Sequence, residues 1–212
     1  MQAWANPTCT PTRGTVMTGQ YGFRTGLDGV GRGYSIAADA ATLPRALPDV
    51  STALFGKWHL GHGDELGGAS APNRLGWDHF SGSLGNLDDY SRWEKTTDGT
   101  TKQTTTYATT AIIDDAIAWT AARAPDEPWL LWVAFNAPHG PFHEPPASLH
   151  RQGAIDTDTA RYDAMVEAMD AELARLLAAV GSDVMIIFLG DNGTPGRICL
   201  LYTSPSPRDN RV

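Results

Sequence analysis

The sequence predicts an α/β fold, a mostly parallel sheet with helices on both faces. Residues 50–55, 129–135 and 184–189 are short apolar runs, and the last two are nearly continuous, the pattern of strands buried on both faces. Residues 107–122 and 162–180 instead carry apolar side chains at helical spacing. Strand and helix candidates alternate along the chain, as they do in βαβ units.

The elements follow in order. The chain opens in a loop running through Asn6, Pro7, Thr8 and Cys9. Pro11 suits the first residue of a short helix toward Met17, broken by Gly19 and Gly22. Residues 26–41 are Gly- and Ala-rich loop. The 50–55 strand is expected to end at Gly56, and residues 62–73 read as Gly-rich loop. Trp77, Asp78, His79 and Phe80 read as packing against the sheet. Residues 88–103 are polar and Thr-rich, an edge hairpin or excursion. The 107–122 helix presents Ile112, Ile113, Ala116, Ile117 and Trp119. The 162–180 helix presents Tyr162, Val166, Met169, Leu173, Leu176, Leu177 and Val180, and Gly181 stops it.

Composition bounds the function. The chain has 212 residues, 42% hydrophobic and 19% charged, which suits one globular domain. Its formal charge is −8 and its lysines are only Lys57, Lys95 and Lys102, so no basic stripe offers itself to nucleic acid. No apolar run has the length of a membrane span, and no signal peptide is visible at Met1. Localisation stays open, periplasmic or secreted being plausible for a full-length protein. The cysteines are Cys9 and Cys199. The stretch from Cys199 to Asp209 resembles one reading frame of a sequencing-library adapter. Residues 198–212 are therefore read as a non-native tail and residues 1–197 as the domain, with no disulfide expected between the two cysteines.

Three loops hold nearly all the unusual polar residues. Lys57 and His59 follow the first strand, Asn136 and His139 the second, and Asp191 and Asn192 the third. The C-terminal edge of an open α/β sheet is where ligands bind. The pattern predicts one site with an ammonium, two imidazoles, a carboxylate and an amide. Lysine and histidine suit an anionic substrate and proton transfer. Asp191 and Asn192 offer hard oxygen ligands, suited to Ca²⁺ or Mg²⁺ rather than zinc. Cys9 precedes a helix whose N-terminus favours an anion, and Arg13 lies one turn along it. The sum is a divalent-cation hydrolase acting on a sulfate or phosphate ester. Taken singly, a Cys is usually inert, and Asp191-Asn192-Gly193 is usually a turn. His62, His79, His143 and His150 are read as structural or exposed, with His143 the candidate exception.

Cys9-Thr10-Pro11-Thr12-Arg13, with Thr18-Gly19 further on, resembles the signature of the formylglycine-dependent sulfatases, an arylsulfatase-like family of the alkaline phosphatase superfamily. Gly56-Lys57-Trp58-His59-Leu60-Gly61 resembles that family's second signature. Ala137-Pro138-His139 and Asp191-Asn192-Gly193 match two further family loops in order. The resemblance implies a sulfuric-ester hydrolase whose Cys9 a separate formylglycine-generating enzyme oxidises to an aldehyde. It implies that Arg13 and Lys57 hold the modified residue and the sulfate. His59 would assist release, His139 would serve the leaving side, and Asp191, Asn192 and the modified Cys9 would bind calcium, magnesium being second choice. Relatives that attack phosphorus leave a phosphonate or phosphate-ester hydrolase as the alternative. The family's upstream aspartate pair and a lysine beyond Asp191 find no match here, so a non-catalytic fragment is the other reading. Asp88-Asp89 and Asp114-Asp115 are read as solvated surface, not as substitutes for that pair.

Overall fold

The computed structural model describes residues 5–31, 34–61 and 67–193. In chain order its elements are α1 (Cys9–Thr18), α2 (Gly22–Thr25), β1 (Ser51–Lys57), α3 (Ala71–Arg74), β2 (His79–Ser83), β3 (Trp93–Thr97), β4 (Thr100–Thr104), α4 (Ala108–Ala121), β5 (Trp129–Ala134) and α5 (Asp158–Val180). The strands form one sheet in the order β4-β3-β2-β1-β5. β1 pairs in parallel with both β2 and β5, while β2, β3 and β4 are joined antiparallel.

Alternation along the central strand builds both cores. Ala53 and Phe55 of β1 meet Ile112, Ile113 and Ala116 of α4 and Leu176 of α5. Leu54 points the other way, into a cluster with Met17 of α1, Leu27, Leu75, Trp77 and Phe80. β5 splits the same way, Leu131 and Val133 against Leu130 and Trp132. Helices therefore cover both faces, as predicted. Each fully buried Leu or Phe contributes about 1.5–3 kcal/mol. A third cluster, with Tyr90, Trp93, Tyr107, Ala137 and Met165, ties the loop after β5 to α4 and α5.

Several expectations need correction. The sheet is only half parallel, because the Thr-rich segment forms the β3–β4 hairpin on one edge. β1 does not stop at Gly56 but runs through it to Lys57. Gly56 has φ +100, and a Cβ there would meet the carbonyl oxygen of Ala134, so glycine alone fits. α1 begins at Cys9 rather than Pro11. α5 starts at Asp158, before its apolar pattern, because the Thr157 side chain accepts from Ala160 N at 3.1 Å and fixes the start. β5 is half-buried along most of its length, since it has a partner on one side only among the described residues. Residues 184–189 form no strand; Met185, Ile186, Ile187, Phe188 and Leu189 are exposed. An apolar run becomes a strand only where a neighbouring strand takes its backbone hydrogen bonds, and none does so among the described residues. Asp88 and Asp89 are exposed as expected. Asp115 is not mere surface: its Oδ2 accepts from Ser81 Oγ at 2.6 Å and Lys95 Nζ at 2.7 Å. Residues 198–212, with Cys199, lie outside the described residues. No described helix is long and apolar enough to cross a membrane.

The β1 geometry generates a prediction. Gly56→Ala should destabilise the protein by more than about 1 kcal/mol, through both the positive φ and the Ala134 contact. A lower urea midpoint with an unchanged m-value is the expected result.

Candidate active site

Cys9 is the first residue of α1 and is buried, with Thr8 in the capping position making no side-chain cap bond. The helix N-terminus behind the thiol carries partial positive charge. One turn on, Arg13 turns inward and is 3% exposed. Its Nε donates to Trp58 O at 2.9 Å and its Nη2 donates to Lys57 O. Its guanidinium lies 5.2 Å from the Trp132 ring centroid, and Nη1 is 3.7 Å from Asp191 Oδ2. Burial pulls Arg13 down to about 10, against the opposing pull of Asp191 and Cys9, and leaves it charged at neutral pH.

Lys57 ends β1 and is likewise buried. Burial lowers its pKa; Cys9 and Asp191 raise it, and Arg13 adds to the lowering. His59 follows in a left-handed backbone conformation, φ 54, which costs a non-glycine residue about 1–2 kcal/mol. Such strain persists where surrounding contacts impose it. Here His59 N donates to Leu84 O at 3.1 Å, and the Thr10 hydroxyl donates to His59 O at 3.1 Å. The turn sets His59 Nδ1 3.1 Å from Cys9 Sγ and 3.4 Å from Thr10 Oγ1.

The loop after β5 supplies the next group. Asn136 is buried and works as a staple: its Nδ2 donates to Ser83 Oγ at 3.0 Å and Gly85 O at 3.2 Å. It thus binds the exit of β5 to the exit of β2. His139 N donates to Asn136 O at 2.9 Å, which closes the loop into a turn. His139 Nδ1 donates to Gly140 O at 2.8 Å, which leaves Nε2 as the ring nitrogen for any proton exchanged with a substrate.

Two cavities meet at His139 and Asn192. One, about 340 Å³, is lined by Cys9, His59, Val30 and Asn86 among others. The other, about 500 Å³, is lined by Lys57, Asn136, Phe142, Tyr162 and Asp191 among others. The structure thus gathers Cys9, Arg13, Lys57, His59, His139, Asp191 and Asn192 at one sheet edge. Asp191 and Asn192 reach it although the strand expected before them is not formed. Sequence reasoning missed Thr10 and Asn86. Thr10 occupies a variable position of the motif, and Asn86 lies in a loop with no local signal of function.

The donors among the described residues do not complete a calcium site. Asp191 and Asn192 offer one carboxylate and one amide oxygen, and Asp191 is already turned to Arg13. Among the described residues, no group of three or more His, Cys, Asp or Glu side chains gathers for a metal.

A model of the sulfatase family matches residues 2–201. Arylsulfatase J of Mus musculus is 29% identical over 90% of this chain and 36% of its own length. An arylsulfatase of Klebsiella aerogenes is 24% identical over 91% of this chain and 58% of its own. The chain thus spans roughly a third to just under three-fifths of these relatives. In structure it is similar to Ps i-CgsB, solved in complex with k-i-k-neocarrahexaose, at a TM-score of 0.71 and 24% identity over 82% of this chain and 45% of that one.

Arg13→Met should leave the buried carbonyls of Lys57 and Trp58 without their charged donor. The expected loss is about 1.5–3 kcal/mol or more in chemical denaturation.

Proposed function

The chain belongs to the sulfatase family, and from that premise we propose that it carries the nucleophile side of a sulfuric-ester hydrolase active site. The observation that supports this most is the approach of Cys9 Sγ to His59 Nδ1, 3.1 Å, in a cavity that His139 also lines. The relatives' names point to sulfate esters rather than phosphate esters. On this reading a formylglycine-generating enzyme oxidises Cys9 to an aldehyde. That modification supplies a hydrate with two hydroxyls on one carbon, one to attack sulfur and the other to drive release of sulfate.

The remaining residues take roles that follow from their chemistry. Arg13 and Lys57, two buried cations, hold the sulfate and orient the modified side chain. His139 gives a proton to the alcohol oxygen as the sulfur–oxygen bond to it breaks. His59, already beside Cys9, takes the proton of the second hydroxyl as the carbonyl re-forms and the sulfate leaves. When bound, calcium would polarise the sulfate as a Lewis acid. Among the described residues, Asp191, Asn192 and the modified Cys9 are the ligands on offer, and a shell of about six to eight oxygens needs several more.

Two outcomes are expected. Co-expressed with a formylglycine-generating enzyme, Cys9 should be converted to the aldehyde, read by mass spectrometry of its peptide. An unmodified thiol beside a converted control sulfatase would sink the reading, and Cys9→Ser in the full-length gene product should abolish turnover. Secondly, residues 1–197 alone should bind calcium weakly and turn over aryl sulfate far more slowly than the full-length gene product, both carrying modified Cys9. Calorimetric titration with calcium and an aryl-sulfate assay compare the two. Tight calcium binding by residues 1–197 would overturn the ligand assignment.

A further inference from the structure

The loop that carries His139 rests on an aromatic cluster that neither signature contains. Tyr90, between β2 and β3, is 2% exposed, yet its ring does not end in apolar packing. Its hydroxyl donates to the backbone oxygen of His139 itself at 2.8 Å. The Tyr90 ring stacks on His143, with centroids 4.4 Å apart and planes tilted by 32°. His143 Nδ1 donates to Pro141 O at 3.0 Å, so in the neutral ring Nε2 is an acceptor. Tyr107, the residue that precedes α4, donates to that Nε2 at 3.1 Å. The cluster is anchored in turn: Ala108 N donates to Tyr90 O at 2.8 Å, and Trp93 Nε1 donates to Thr106 O at 2.9 Å.

We propose that Tyr90, His143 and Tyr107 are positioning residues for His139. Their hydrogen bonds pin the loop at the carbonyl of His139 itself and at that of Pro141, two residues on, and so fix where the imidazole stands in the cavity of Cys9. The assignment rests on the role of His139 as proton donor given above. Protonation states agree with it. Burial raises the Tyr90 and Tyr107 pKa values, Tyr107 to about 12, so both phenols stay donors. Burial also lowers His143, against opposing pulls from Pro141 O and Asp89, which favours its neutral acceptor form. Simple core packing would be met by phenylalanine at position 90 with no polar group to bury. The hydroxyl is used on the carbonyl of one particular residue.

A misplaced proton donor matters in proportion to how basic the leaving oxygen is. The test therefore compares phenyl sulfate with 4-nitrophenyl sulfate, alike in shape but unlike in leaving-group basicity, in the full-length gene product carrying modified Cys9. Tyr90→Phe should keep its melting temperature within a few degrees and its KM near wild type. Its kcat on phenyl sulfate should fall roughly tenfold to a hundredfold, with a much smaller loss on 4-nitrophenyl sulfate. Tyr107→Phe should show the same bias at smaller size, and it carries the test if Tyr90→Phe folds poorly. His139→Ala is the reference. If it shows the bias and neither tyrosine variant does, or if they lose both activities equally, the positioning role is wrong. If His139→Ala itself shows no bias, the proton-donor reading fails and this assignment falls with it.

Discussion

One buried guanidinium holds the site together. At the end of β1 the carbonyls of Lys57 and Trp58 face inward, where an unpaired acceptor is costly. Arg13 reaches both from the first turns of α1. The helix that presents Cys9 and the strand that presents Lys57 are therefore one unit. The thiol, the ammonium and the His59 turn keep their spacing because one side chain spans them. The Trp132 ring beneath the guanidinium extends the unit to β5.

The sheet makes that unit possible by bringing strands close at their C-terminal ends. Gly56 lies opposite Gly82 on one side and Ala134 on the other, a row of small residues across three parallel-paired strands. Just beyond it, Asn136 binds Ser83 and Gly85. Three strand exits are thereby fixed relative to one another, one by Arg13 and the other two by Asn136. Loops that would otherwise drift become a scaffold for His59 and His139.

Much of this was legible in the sequence, and the failures have physical causes. The strands expected at 50–55 and 129–135 showed as short strand-like runs and the helices expected at 107–122 and 162–180 through helical spacing, each within a few residues of its observed bounds. Lys57, His59 and His139 stood out because their loops follow those strands, and Cys9 and Arg13 because they stand one turn apart at the start of a helix. The 184–189 strand failed because composition reports a preference for burial, while a strand also needs a neighbour to bond. The antiparallel edge was half seen: Thr-rich polarity signals a hairpin but not the strand it joins. Tyr90 and Asn86 carried no signal in the sequence. The Tyr90–His139 bond spans 49 positions, and Asn86 shares a cavity with Cys9 and His139, which lie far from it along the chain, and no local pattern encodes such meetings.

Charge closes the argument about what the site is built to receive. Arg13 and Lys57 are both buried, and Asp191 is the carboxylate that faces them. Two cations against one anion leave the pocket electrostatically unfinished, and the N-terminus of α1 adds to the imbalance. An anionic group entering beside Cys9 would offset it, and on the reading proposed above that group is the sulfate of an ester. The same imbalance works against a divalent cation, because Asp191 is already engaged by Arg13. The residues that favour an anion are therefore the ones that weigh against a cation beside Asp191. Anion recognition and cation recognition are separable demands on this sheet edge, and the charges of the described residues favour the first.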